Sequence, residues 1–148
     1  MGFILFARNV DTPDQVRALT RDLRASVGRD DAPILIDQEG GRVARLRPPH
    51  WRQAPAAKAF ADLAARNMDE ALEALSLNVR LIGQELRELG INVDCLPVLD
   101  IPQADADLVI GDRAYGTEPK QVAALGRAAC EALLQEGVLP VIKHIPGH

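Results

Sequence analysis

Four short apolar runs, Gly2–Ala7, Pro33–Ile36, Ile91–Leu99 and Val138–Ile142, are rich in Ile, Leu and Val and show no clean polar alternation. A strand that faces water on one side alternates apolar and polar residues. Runs of this kind are instead buried on both faces, as in a parallel sheet. Three of them lead to an amphipathic stretch, so the pattern reads as βα repeated. Thr12-Pro13-Asp14-Gln15 announces the first helix with an N-cap threonine, a proline at the first helical position and a glutamine at the capping-box position; Val16, Leu19, Leu23 and Val27 form its stripe and Gly28 ends it. A longer helix is expected from about Asp69 to Leu89, with Leu72, Leu75, Val79, Ile82, Leu86 and Leu89 inward and Gly90 as the stop. A third begins at Thr117-Glu118-Pro119, turns Val122, Leu125, Ala129 and Leu133 inward, and stops at Gly137. Arg47 to about Ala57, with Pro48, Pro49 and Pro55, reads as a long irregular loop, which in a compact α/β unit usually serves function.

Charge and composition exclude several classes. Lys+Arg number 17 and Asp+Glu 21, a formal charge of −4 with no basic stripe, which argues against a nucleic-acid partner. No apolar run approaches the ~20 residues of a membrane span, so no membrane partner is expected and the chain reads as cytoplasmic. Cys95 and Cys130 have no Cys or His at metal-ligand spacing and are expected to be reduced, buried small hydrophobes. A strand opens the chain and another lies close to its end. Four βα units also fall short of the eight, in at least ~200 residues, of a closed barrel. The expectation is a partial (β/α)8 TIM barrel of about four parallel strands, a fragment of a larger domain, with the first and last runs as its outer strands.

In parallel α/β folds ligands sit at the carboxyl ends of the strands. The residues there are Arg8-Asn9, Asp37-Gln38-Glu39, Asp100 and Lys143-His144, all polar or charged. Ile36–Arg45 packs two carboxylates, two glycines and two arginines into one segment, but it lacks the glycine and lysine spacing of a phosphate loop. Asp37 and Glu39, two apart, are expected to point apart unless the turn redirects them. A glycine-bracketed loop, Val109–Gly116, holds Arg113, whose planar fork of donors suits hydroxyls or carboxylates. His144 and His148 are four apart, but Pro146-Gly147 forbids the helix that would align them on a metal, and no metal or other cofactor is expected. Lys143 and His144 at a strand end suit vicinal hydroxyls better.

The segments IDQEGGRVARL, VIGDRAYG and KHIPGH, in this order and joined by GFILFARN and NVDCLPVLDI, resemble the N-terminal barrel domain of glycoside hydrolase family 3, within it most closely the bacterial β-N-acetylglucosaminidases of cell-wall muropeptide recycling. The resemblance covers Gly2 to His148. It implies that residues 1–148 are the N-terminal half of that barrel, lacking its first strand and its C-terminal half. It also implies a retaining β-N-acetylhexosaminidase acting on terminal β-linked N-acetylglucosamine, a small carbohydrate substrate. Asp37 would accept from sugar hydroxyls, Arg45 and Arg113 would contact substrate, and Lys143 and His144 would donate to the same ring. The acid/base and the nucleophile would fall beyond His148, so no catalytic residue is assigned within the chain, and the fragment alone is expected to be inactive. The alternatives are a family 3 β-glucosidase fragment and a non-catalytic sugar-binding α/β module.

Overall fold

The computed structural model describes residues 1–102 and 109–148. Its elements are β1 (Phe3–Leu5), α1 (Pro13–Val27), β2 (Ile34–Ile36), α2 (Ala57–Ala64), α3 (Met68–Glu88), β3 (Val93–Asp94), α4 (Pro119–Gln135) and β4 (Leu139–Pro140). The strands form one parallel sheet in the order β1-β2-β3-β4, with Leu5 beside Ile36, Ile36 beside Asp94 and Asp94 beside Pro140. This is the expected α/β arrangement, and the first and last strands are its edges.

The sheet is shorter than the apolar runs. Regular β3 pairing covers two residues of the expected 91–99 strand, because Pro97 brings no N–H to the ladder. Pairing resumes further on, where Val98 bridges to Lys143, Leu99 N–H donates to the Lys143 carbonyl (2.7 Å) and Lys143 N–H to the Pro97 carbonyl (3.1 Å). That second stretch sets the height of Lys143 above the sheet.

Helix α1 starts and stops where its signals lie: Thr12 Oγ accepts from Gln15 N–H, and Gly28 takes the left-handed conformation. The glutamine side chain reaches back to Asp11 N–H rather than to Thr12. Helix α3 begins one residue earlier than expected, capped by Asn67, whose side chain accepts from Glu70 N–H. Its buried stripe of Leu75, Val79, Ile82 and Leu86 packs on Leu125, Ala129 and Leu133 of α4, side chains each worth about 1.5–3 kcal/mol when fully removed from water. Thr20 closes α1 against the end of α3 by donating to the Leu89 carbonyl at 2.7 Å.

Two expectations are corrected. The stretch from Arg47 to about Ala57 is irregular as expected, but it leads into a helix the sequence reading did not contain: α2 begins at Ala57 and buries Ala57, Phe60, Ala61 and Ala64. These positions have helical spacing, but three of the four are alanines, so the hydrophobic signal was weak although alanine is the best helix former. Cys95 is buried as expected, whereas Cys130 is only half-buried; both are free thiols. Among the described residues no helix is long and apolar enough to cross a membrane.

Candidate functional site

The turn after β2 carries the site. Glu39 N–H donates to the Val43 carbonyl and Gly41 N–H to the Ala54 carbonyl, closing a tight loop at Gly40 and Gly41, whose φ values are +93° and +56°. Only glycine adopts that pair of conformations readily. Gln38 holds the loop from inside. Its side-chain oxygen accepts from Arg45 N–H (2.9 Å) and Leu46 N–H (3.0 Å), and its amide nitrogen donates to the Leu46 carbonyl (3.1 Å).

The outcome is a compact charge cluster. Lys143 Nζ lies 2.9 Å from Asp37 Oδ1 and 2.5 Å from Glu39 Oε1. Arg45 Nη2 reaches Asp37 Oδ2 at 3.0 Å, and Arg113 grips Glu39 with two nitrogens, each at 2.8 Å. Asp37 and Glu39 do not point apart: the turn redirects them, and both carboxylates meet one ammonium. Glu39 was not singled out as a site residue, although its side chain is 5% exposed and is the most deeply seated acid of the group. The signal was present in the glycine pair and in Arg113, but a partner 74 residues away is invisible to local spacing.

His144 sits beside this cluster, not in it. Both its backbone N–H and its Nδ1 engage Asp100 Oδ2, and Asp100 Oδ1 accepts from His148 N–H at 2.8 Å. That leaves Nε2 as the ring nitrogen for a ligand. Asp37, Arg45, Arg113, Lys143 and His144 all line one cavity of about 400 Å³, floored in part by Cys95. Arg8 and Asn9, at the end of β1, do not join it: the Arg8 guanidinium lies over the Phe6 ring and Asn9 caps Phe6 N–H. Asp112 is likewise drawn away, held by Arg42 at 2.8 Å.

Electrostatics keep Asp37 and Lys143 ionised. Burial pushes Asp37 up, but Lys143 and Arg45 outweigh it and hold its carboxyl below the ordinary value. Burial pulls Lys143 down, and Glu39 and Asp37 more than reverse this. Asp37 is lowered on folding, so its contribution is present above the ordinary 3.8 and is lost as pH falls through the depressed value. Lys143 is raised, so its contribution is present below the ordinary 10.5 and is lost as pH rises through the elevated value. In thermal unfolding of the full-length protein carrying this chain, the difference in Tm between wild type and Asp37→Asn is expected to be flat across neutral pH and to vanish in acid. A difference unchanged in acid would detach Asp37 from Lys143.

Chemically, the cluster presents acceptors and donors side by side at the mouth of one cavity. A carboxylate oxygen has two acceptor lone pairs, so Asp37 retains acceptor capacity after meeting its cations, in the ionised form that makes the stronger hydrogen bonds. Lys143 has three donors, two of which go to carboxylates.

The family model described as the glycosyl hydrolase family 3 N-terminal domain matches residues 1–148. A β-hexosaminidase of Methylococcus capsulatus is 39% identical over 147 residues, covering 99% of this chain and 42% of the relative. The β-hexosaminidase LpqI of Mycobacterium tuberculosis is 40% identical, covering 100% of this chain and 36% of the relative. The crystal structure of NagZ from Neisseria gonorrhoeae in complex with N-trifluoroacetyl-D-glucosamine superposes with a TM-score of 0.91 at 32% identity, covering 99% of this chain and 43% of that one. The chain thus spans less than half the length of each of these relatives.

Proposed function

The chain belongs to the glycosyl hydrolase family 3 N-terminal domain family, and from that premise we propose that the full-length protein carrying it is a β-N-acetylhexosaminidase in which these residues hold the nonreducing sugar. The observation that carries the reading is the convergence of Asp37, Glu39, Lys143, Arg45 and Arg113 at the carboxyl ends of β2 and β4. Asp37 accepts from the sugar hydroxyls. Lys143 donates its remaining N–H to the same ring, and Arg45 and Arg113 supply further donors at the rim. Three N–H groups of Arg113 go to Glu39 and the Val109 carbonyl, so this arginine braces the cluster as well as meeting substrate.

Retaining hydrolysis needs a nucleophile on one face of the anomeric carbon and a proton donor at the leaving oxygen. Asp37, Glu39 and Asp100 are each committed to a cationic or histidine partner, so they suit positioning better than either chemical role. We assign the nucleophile and the acid/base to the remainder of the enzyme. Positioning by itself lowers the barrier by fixing the ring relative to those groups. The proposal extends to N-acetylglucosamine-bearing cell-wall muropeptides as substrate, which the DQEGGRV and KHIPGH segments favour. It also extends to action in the cytoplasm, where two free thiols stay reduced.

The test is turnover of a nitrophenyl N-acetyl-β-glucosaminide by the full-length protein. Hydrolysis is expected, with Asp37→Ala lowering kcat/KM by ~10- to 100-fold, the worth of a hydrogen bond to a charged group. Turnover of the corresponding β-glucoside alone would replace this reading with that of a β-glucosidase.

A further inference from the structure

Asp94 is a fully buried acid that forms no ion pair with the charge cluster beside it. It lies in β3 between Ile36 and Pro140, with no exposed surface. Its position explains one of its oxygens. The β2–β3 ladder ends where Cys95 N–H donates to the Ile36 carbonyl at 2.8 Å, since the chain then turns away into Leu96-Pro97. The next N–H to need a partner is that of Gln38, and Asp94 Oδ1 takes it at 3.0 Å in place of a ladder carbonyl. The other oxygen, Oδ2, is buried and has no hydrogen-bond partner.

We propose that Asp94 is a positioning residue for the sugar-holding cluster, an uncharged carboxylic acid that fixes Gln38 and through it the turn bringing Asp37 and Glu39 onto Lys143. The proposal rests on the carbohydrate reading only for its choice of substrate. The connection runs through named bonds: Asp94 to Gln38 N–H, the Gln38 side chain to Arg45 N–H and Leu46, and the Arg45 guanidinium to Asp37. The carboxylate-bearing turn is thus anchored to the middle of the sheet.

The uncharged state follows from its surroundings. A carboxylate sealed from water with one oxygen unpartnered costs several kcal/mol, and retaining the proton avoids that cost. Burial pushes Asp94 well above the usual carboxylate range; Gln38 N–H and Lys143 oppose this, and the negative charges of Glu39 and Asp37 reinforce it. Lys143 cannot neutralise Asp94 as a partner because its ammonium is already held by those two carboxylates. The remaining ionisable neighbours, the Cys95 thiol and the buried Tyr115 phenol, are both pushed up as well and bring no positive charge.

The test uses Asp94→Asn and Asp94→Leu in the full-length protein. Asn keeps the oxygen that Gln38 needs and adds no charge; Leu removes it. The infrared difference spectrum of wild type minus Asp94→Asn at neutral pH is expected to show the C=O stretch of a protonated carboxyl. Amide exchange at Gln38 is expected to stay slow in the Asn variant and to become fast in the Leu variant. On the chromogenic glucosaminide, KM is expected to stay within about threefold for Asn and to rise about tenfold for Leu. An ionised-carboxylate band in place of the protonated one, or an Asn variant as impaired as Leu, would overturn the proposal. Should the Leu variant not fold, the infrared band and the Asn variant still decide. If wild type fails to turn over the glucosaminide, the carbohydrate reading falls, while the infrared and exchange results still judge Asp94.

Discussion

Replacing Lys143 by methionine in the full-length protein is expected to lower kcat/KM for an N-acetyl-β-glucosaminide by about 100-fold or more, with most of the main-chain fold retained. Methionine keeps an unbranched apolar stem of similar length at this cavity-lining position and removes the ammonium. What remains is two carboxylates, Asp37 and Glu39, that had converged on one cation. Each keeps an arginine, Arg45 or Arg113, so the loop does not collapse outright. Their mutual repulsion is no longer screened, however, and the proposed donor to the sugar is gone. A hydrogen bond to a charged group is worth about 1.5–3 kcal/mol, misplacement of Asp37 adds to that loss, and each ~1.4 kcal/mol is tenfold in rate. Arginine at this position is not expected to rescue, because a planar fork cannot sit between the two carboxylates as a compact ammonium does. Wild-type kcat/KM in the methionine variant would leave Lys143 with a structural role only.

The second large effect is structural in origin. Gly40→Ala is expected to destabilise the protein by ~3 kcal/mol or more and to abolish most sugar binding with it. At φ +93° a Cβ would lie 2.2 Å from the Pro55 carbonyl oxygen, which belongs to backbone and cannot step aside. The loop from Glu39 to Ala54 would have to open, and Glu39 would leave Arg113 and Lys143. Gly28→Ala is the control. Gly28 also has a positive φ, of +62°, but nothing lies within 4 Å of its added Cβ, so the cost is about 1 kcal/mol with no loss of binding. Urea unfolding of both variants beside a binding assay separates the two cases. Equal losses in the two would mean that the conformation of the residue matters and its contact with Pro55 does not.

What the sequence revealed and what it concealed divide along sequence distance. Helices α1, α3 and α4 were legible because long apolar side chains repeat at helical spacing and glycines stop them. Helix α2 was not, because alanines carry its buried face. The strands were legible as apolar runs but not in length, since a proline's missing N–H and a change of pairing partner are set by the neighbouring strand. In the site, Asp37 and Lys143 stood out from strand-end position and flanking residues. The role of Glu39 did not, because it depends on a turn and on an arginine brought in from the far side of α3. Asp94 was hidden altogether: within the run INVDCLPVL it looks like an interruption, and only the end of the β2–β3 ladder shows which N–H it serves.

A crystal structure of the full-length protein with N-acetylglucosamine decides whether the cluster at the ends of β2 and β4 holds a sugar ring. The expected result is the ring in the cavity beside His144, with hydroxyls within hydrogen-bond distance of the Asp37 carboxylate and Lys143 Nζ. A saturated crystal with the sugar bound elsewhere, and Asp37 and Lys143 touching only each other, would contradict it.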